Sequence, residues 1–489
     1  MSVDTGIPEL PRDFSSLLVV SDLHLGPGQD PRTLRFDPKE NFISDLAFAE
    51  FLRAHSGPKD DKTLLVLNGD VFDFARISDY PKSDEDFTSW RDELQALGRH
   101  HPIEELRKLH GSEIEYGLRT DDYKSVWKLI HMTRGHSGFF RALGGWNAEG
   151  RWMVFVKGNH DLELHWELVQ KSIRREIRRA ADGAVDDNRI LFVEDFLQIE
   201  NVYVEHGHRF ESLTTVNGPP TLPGGSELYL PLGSFVNRYV INDLEGLEPN
   251  LDNLKPINAL LWKLVRRHPL KIFTIIWRSL PLLRRAFRPY WWKHWFAFVF
   301  FFITLLIPIL SLLAIGGILA FPGLAAWVSD LFGAWSGPLG VIGVLLPYIV
   351  GVVRDIWPKR KPEVGENRFA QGIHNAIAAR SFARKYNAIY GVLGHTHQPD
   401  VQVLPKLHGS DVVYINSGTW IGTWSEERPE LAGRVVKSFV RFDRQGEEYA
   451  HRHLSWEAGA GRSLDSTILA PRGPHGWRTR RPPRQTRSE

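Results

Sequence analysis

His395 and His397 stand one residue apart in GVLGHTHQPD, just after a short apolar run. Four stretches far upstream carry groups of the same chemical kind. Asp22 and His24 lie in SDLHLG, Asp70 and Asp73 in NGDVFD, Asn159 and His160 in GNHD, and His206 and His208 in EHGH. Taken singly, each is weak: a histidine is usually a surface or core residue, and a Gly-Asp pair is a common turn former. Taken together, they offer carboxylate, amide and imidazole donors repeatedly at the ends of apolar runs. The chain has no cysteine, so disulfides, iron-sulfur clusters and thiolate zinc sites are excluded and any ion must be held by oxygen and imidazole nitrogen. Such donors suit a dinuclear Mn, Fe or Zn site. Two ions about 3.5 to 4 Å apart can clamp both the attacking and the leaving oxygen of an in-line displacement.

The elements that must position these groups are short β-type runs: LLVV, TLLVLN, WMVFV, VYVE, AIYGVL and VVYIN. Helical patterning lies between them, for example over 41–56 and 369–385, which predicts alternating β and α elements with the chemistry on loops at strand C-terminal ends. Residues 75–150 exceed what a crossover needs and read as a helical insertion capping the site. At 489 residues the chain is too long for one small core, while 43% hydrophobic and 24% charged residues are ordinary globular values. The net charge of +2 argues against a surface built for bulk nucleic-acid binding. The stretch MSVDTGIPELPRDFSS has no apolar core of secretory length, so no cleavable signal peptide is expected.

After about residue 255, apolar and aromatic residues alternate with Arg and Lys, an interfacial helix pattern. No Asp, Glu, Lys or Arg occurs between Lys293 and Asp330. As a helix, 295–320 would reach about 39 Å and 335–353 about 28 Å, so a transmembrane hairpin is expected, with a buried or one-leaflet hairpin as alternatives. Arg and Lys flank both ends and are missing from the connection, which puts the catalytic part on the cytoplasmic side of a multi-pass cell-membrane protein. The expected organisation is an N-terminal tail (1–16), a first catalytic part (17–213), cap and basic interfacial helices (214–289), the hairpin (290–356), a second catalytic part (357–455) and a flexible basic tail (456–489).

The five polar stretches resemble the signature of the calcineurin-like metallophosphoesterase superfamily, over roughly 17–213 and 366–445. The resemblance implies an α/β fold, a four-layered αββα sandwich, here with a helical cap and the inserted hairpin. It implies that Asp22, His24 and His397 hold one divalent ion and Asn159, His206 and His395 another, with Asp70 bridging and Mn the first candidate. His160 matches the catalytic histidine, Asp73 its acidic partner, and INSGTW a supporting turn. The expected reaction is hydrolysis of a phosphodiester or pyrophosphate by attack of a metal-bridging hydroxide, with His160 protonating the leaving oxygen. SDLHLG, GDVFDF and NSGTW look most like the UDP-2,3-diacylglucosamine pyrophosphohydrolase group, which points to a lipid-linked substrate at the bilayer. GNHD departs from the arginine often found at its third position in that group. Alternatives are a phosphodiesterase of soluble or cyclic nucleotides, a nuclease, against which the charge and the apolar run argue, and a non-catalytic membrane scaffold, for which ligands should be missing and none is.

Overall fold

The computed structural model describes residues 10–11, 13–57, 62–211, 213–216, 218–245, 254–255, 366–381, 388–425, 433–457 and 459–464, with single helical positions at 267, 271, 274, 275, 278 and 282. The first half of the chain alternates as the pattern predicts. In order come β1 (Ser16–Val20), α1 (Asp45–His55), β2 (Thr63–Asn68), α2 (Asp84–Ala96), α3 (Ile103–Leu106), α4 (Gly111–Tyr116), α5 (Asp122–Gly135), α6 (Ser137–Ala148), β3 (Trp152–Val156) and α7 (Glu167–Ala180). Then follow β4 (Ile190–Val193), β5 (Phe196–Ile199), β6 (Val202–Glu205), α8 (Leu232–Val236), α9 (Asn242–Glu245) and β7 (Leu254–Lys255). The last part holds α10 (Glu366–Ser381), β8 (Tyr390–Leu393), β9 (Asp400–Leu407), β10 (Ser410–Asn416), β11 (Gly422–Ser425), β12 (Arg434–Val435), β13 (Ser438–Gln445), β14 (Glu448–Glu457) and β15 (Ala460–Ser463).

The strands form a seven-stranded sheet of order β15-β14-β13-β1-β2-β3-β4, a five-stranded sheet of order β5-β6-β8-β10-β9, and a small sheet of β12, β11 and β7. Period-two alternation decides what each strand faces. Leu17, Val19, Leu64, Val66, Val154 and Val156 join one core with Val202, Val204, Val392 and Ile415, so the two large sheets pack face to face. The alternate residues Leu18, Val20, Leu65, Leu67, Met153 and Phe155 share a second core with Phe48 and Phe51 of α1, Phe139 and Leu143 of α6, and Ile173 and Ile177 of α7. On the far side, Tyr203, Leu393, Val412 and Tyr414 pack on Phe369, Ile373 and Ile377 of α10. Helices therefore cover the outer face of each sheet.

Several expectations need correction. Among the described residues no helix is long and apolar enough to cross a membrane. The longest, α10, has 16 residues and would reach only about 24 Å, short of the ~30 Å hydrocarbon core. The transmembrane hairpin of the expected fold class, and the multi-pass cell-membrane location drawn from it, are accordingly not upheld; the runs 295–320 and 335–353 themselves lie outside the described residues. The tail expected from 456 begins instead as strand: β14 continues to Glu457, and β15 pairs with it antiparallel, Leu454 opposite Ser463 and Glu457 opposite Ala460. Backbone pairing there needs no apolar periodicity, which is why composition missed it. Residues 465–489 lie outside the described ones. Within 75–150 only part is a separate unit. Phe87, Trp90 and Leu94 of α2 pack with Val126, Trp127 and Ile130 of α5 in their own cluster, whereas α6 belongs to the main core.

Candidate metal centre

Strands β1, β2 and β3 are parallel neighbours in one sheet, and β6, β8 and β10 are parallel neighbours in the other. Each trio delivers its polar stretches at strand C-terminal ends, and the packed sheets bring the two sets of ends together. Hydrogen bonds join them. Asn68 Nδ2 donates to the Glu205 carbonyl (3.0 Å), the His395 backbone N–H donates to the Asp22 carboxylate (3.0 and 3.1 Å), and the Ser21 and Ser417 hydroxyls meet at 2.7 Å. The INSGTW turn supports the HTH loop from below. Asn416 Nδ2 donates to the Gly394 carbonyl (2.9 Å) and to Thr396 Oγ1 (2.8 Å), and Ser417 Oγ donates to the Leu393 carbonyl (2.9 Å).

Local backbone conformation turns the ligands inward. Asp22, His24, Asp70, His395 and His397 all have positive φ, between 50° and 70°, and make up five of the nine such non-glycine residues described. For a side chain with a Cβ this left-handed region costs about 1 kcal/mol or more, and it persists only where the surroundings impose it. Two glycines permit the close approach. A Cβ at Gly69 would lie 2.4 Å from the His206 ring, and one at Gly158 would lie 2.1 Å from Asp70 Oδ1.

Three groups of donors that could hold a metal ion result: Asp22, His24 and His397; His24, Asp70 and His160; and Asp70, His206 and His395. Asp70 belongs to two of them. His24 Nε2 and His397 Nε2 face each other at 3.0 Å, His397 Nε2 lies 3.3 Å from Asp22 Oδ1, and His206 Nε2 lies 3.1 Å from Asp70 Oδ2. These spacings fit a cation: donors at right angles around an ion, each about 2.1 Å from it, are separated by about 3 Å. Asn159, an amide in type where these are carboxylates and imidazoles, has its Oδ1 buried without a hydrogen-bond partner, as suits an oxygen that would ligate a cation. His206 Nδ1 donates to the Asn68 carbonyl (2.9 Å), which leaves Nε2 as its inward donor.

Asp73 does more than pair with His160. Its Oδ2 accepts from His160 Nδ1 (3.0 Å) and His24 Nδ1 (3.2 Å) and lies 3.3 Å from Arg76 Nε, so one buried carboxylate orients both a candidate ligand and the candidate acid. Burial alone would raise Asp73, but His160, His24 and Arg76 hold it far below the usual carboxylate range. Burial would likewise lower His206, yet Asp70 and Asp22 push it up to about 9, so an incoming cation must displace a proton there. His395 is depressed, by burial first and then by the charge of His206, which favours the neutral imidazole that ligates metals.

Sequence reasoning missed several supporting residues. Asp161, the last residue of GNHD, accepts from the Gly158 N–H (2.6 Å) and the Val71 N–H (2.9 Å) and so ties two ligand loops together. Burial, and next the charge of Asp70, push its carboxyl up to about 7. From the cap, Ser234 Oγ donates to the Asn159 carbonyl (3.1 Å) and Asn237 Nδ2 lies 3.4 Å from His160 Nδ1. Only the adjacency of Asp161 to His160 could have flagged any of these. His208 is buried and held neutral by its surroundings, and Glu205 is bound by Arg209 at 2.9 and 2.8 Å, so both read as supports. No model of a known protein family matches the chain, and no curated protein sequence matches it.

Proposed function

We propose that this protein is a dinuclear-metal phosphoesterase, hydrolysing a phosphodiester or pyrophosphate bond with two divalent cations, Mn first among Mn, Fe and Zn. The observation that carries this reading is the set of overlapping donor groups formed by Asp22, His24, Asp70, His206, His395 and His397, with His160 in the group of His24 and Asp70 and with Asn159 Oδ1 buried without a hydrogen-bond partner. Asp22, His24 and His397 would hold one ion, and Asn159, His206 and His395 the other. When bound, the ions supply Lewis acidity toward the phosphoryl oxygens and a nucleophile near neutral pH. The protein's own contribution is orientation and proton delivery. Asp73 fixes His160 through Nδ1, which leaves Nε2 to protonate the leaving oxygen. The His160 backbone N–H donates to Asp70 Oδ1 at 2.8 Å, so the proton donor and the shared ligand are held as one unit.

The test is turnover of bis-p-nitrophenyl phosphate, UDP-2,3-diacylglucosamine and a cyclic nucleotide by the purified protein with Mn2+ added. Cleavage of at least one is expected, and Asp70→Ala should lose both the ions and turnover. An Asp70→Ala protein that keeps two ions and full activity overturns the reading, as does a fully loaded protein that cleaves no phosphoester. Selective cleavage of the acylated UDP-sugar would assign the substrate class.

A further inference from the structure

The loop that carries His24 runs on through Leu25, Gly26, Pro27 and Gly28, and a carboxylate outside the marked stretches fastens it. Through Oε2, Glu40 accepts from the Gly26 N–H (3.1 Å) and the Gly28 N–H (2.6 Å), and through Oε1 from the Phe42 N–H (2.6 Å). The same Oε2 lies 3.1 Å from His136 Nε2, and both side chains are inaccessible. His136 joins α5 to α6. Its Nδ1 lies 3.1 Å from Oδ2 of Asp45, the first residue of α1, whose Oδ1 also accepts from the Phe139 N–H (3.2 Å). Burial disfavours charge on His136, but these two carboxylates restore it, so the ring stands as a cation between them. The backbone adds a second hold: the Gln29 N–H donates to the Gly135 carbonyl (3.1 Å), and a Cβ at Gly28 would lie 2.5 Å from the Gly135 carbonyl carbon. A buried carboxylate that takes three backbone N–H groups and an imidazolium is a firm anchor, since hydrogen bonds to charged groups are about twice as strong as neutral ones.

What this anchor holds is strained. Asp22 (φ 54°) and His24 (φ 50°) both lie in the left-handed region, which persists only where the surroundings impose it. From the β2 side, the Asp22 N–H donates to the Gly69 carbonyl (3.1 Å), the His24 N–H to the Asp70 carbonyl (2.9 Å) and the Leu25 N–H to the Val71 carbonyl (2.9 Å). From the Glu40 side, Gly26 and Gly28 are held just beyond His24. His24 belongs to two of the three donor groups, and its Nε2 faces His397 Nε2 at 3.0 Å. We infer that Glu40, with His136 behind it, is a positioning residue for His24, fixing the loop so that Nε2 meets the ion proposed for Asp22, His24 and His397. This rests on the dinuclear reading. Glu40 acts through the loop backbone and not as a ligand.

The test uses full-length protein freed of metal and titrated with Mn2+, the free ion being followed by its EPR signal. The unsubstituted protein should bind two ions. Glu40→Gln keeps the volume and one acceptor oxygen but loses the charge and sets an amide NH2 against the loop N–H groups. One ion should then bind about tenfold more weakly, the lower end of the loss found when a group supporting a metal ligand is removed, and the other as before. A loss confined to one ion separates positioning from a generally weakened fold. His136→Gln leaves Glu40 on the loop amides without its cation, and the same ion should weaken, by less. Unchanged affinities for both ions in Glu40→Gln, or an equal loss of both, would overturn the inference and leave the dinuclear reading standing. Should Glu40→Gln lose its circular dichroism spectrum, the same comparison in His136→Gln decides. A parent protein that binds no ion would overturn the dinuclear reading, and the inference with it.

Discussion

Replacing Asp73 by Asn tests the arrangement most severely, because one oxygen serves three partners. Asp73 Oδ2 accepts from His160 Nδ1 and His24 Nδ1 and faces Arg76 Nε, and Asp73 and Arg76 are both essentially inaccessible. Asn keeps the volume and one acceptor oxygen, but it loses the negative charge that strengthens both imidazole hydrogen bonds and puts an NH2 group at the buried place of Oδ1, so both rings are held more weakly. Loss of such an orienting partner costs about 10- to 100-fold in metal affinity or activity. Since the carboxylate here orients both a ligand and the proposed proton donor, turnover should fall by about 100-fold. Arg76, which also donates to the Lys39 carbonyl (2.7 Å), would lose the carboxylate beside its Nε while staying buried, and stability should fall by about 3 kcal/mol. The assay is turnover of bis-p-nitrophenyl phosphate with saturating Mn2+, alongside metal content and urea denaturation. Full turnover together with unchanged stability would refute the assignment of Asp73 as the shared anchor.

Three further outcomes are expected. His160→Ala should retain its ions by elemental analysis while slowing turnover most for substrates with poor leaving groups; an equal loss across leaving groups would deny it the proton-donor role. Gly158→Ala, whose Cβ would collide with Asp70 Oδ1, should lower metal content while leaving the strand framework intact by circular dichroism. His136 is buried between Glu40 (3.1 Å) and Asp45 (3.1 Å); burial disfavours its charge, but these two carboxylates push it up to about 9. Because the folded value lies above the ordinary one near 6.5, its contribution is fully present below pH 6.5 and is lost as pH rises toward 9. That amounts to at most about 3 kcal/mol, read as the difference between the parent protein and His136→Gln in denaturation at pH 6.5 and 9.5.

What the sequence by itself determined is the set of chemical groups and their local delivery. Period-two apolar runs specify strands whose alternate residues face two cores, and a polar stretch after each strand must lie at a sheet edge. Asp22, His24, Asp70, Asn159, His160, His206, His395 and His397 were legible because each belongs to such a stretch, and the missing thiols narrowed the donors to oxygen and nitrogen. The positive φ values that turn five of those residues inward are not written in their residue types; packing of the two sheets imposes them. Tertiary structure alone decided which partners lie beside them. Glu211 reaches His395 across 184 positions, Asp73 serves His24 as well as His160, and Asn237 comes from the cap to His160. The transmembrane reading is not upheld among the described residues, and an uncharged run by itself reports apolarity and not the medium that covers it. Spacing along the chain constrains neighbours a few residues apart, whereas contacts between distant segments depend on which sheet faces pack together, and no local pattern carries that information.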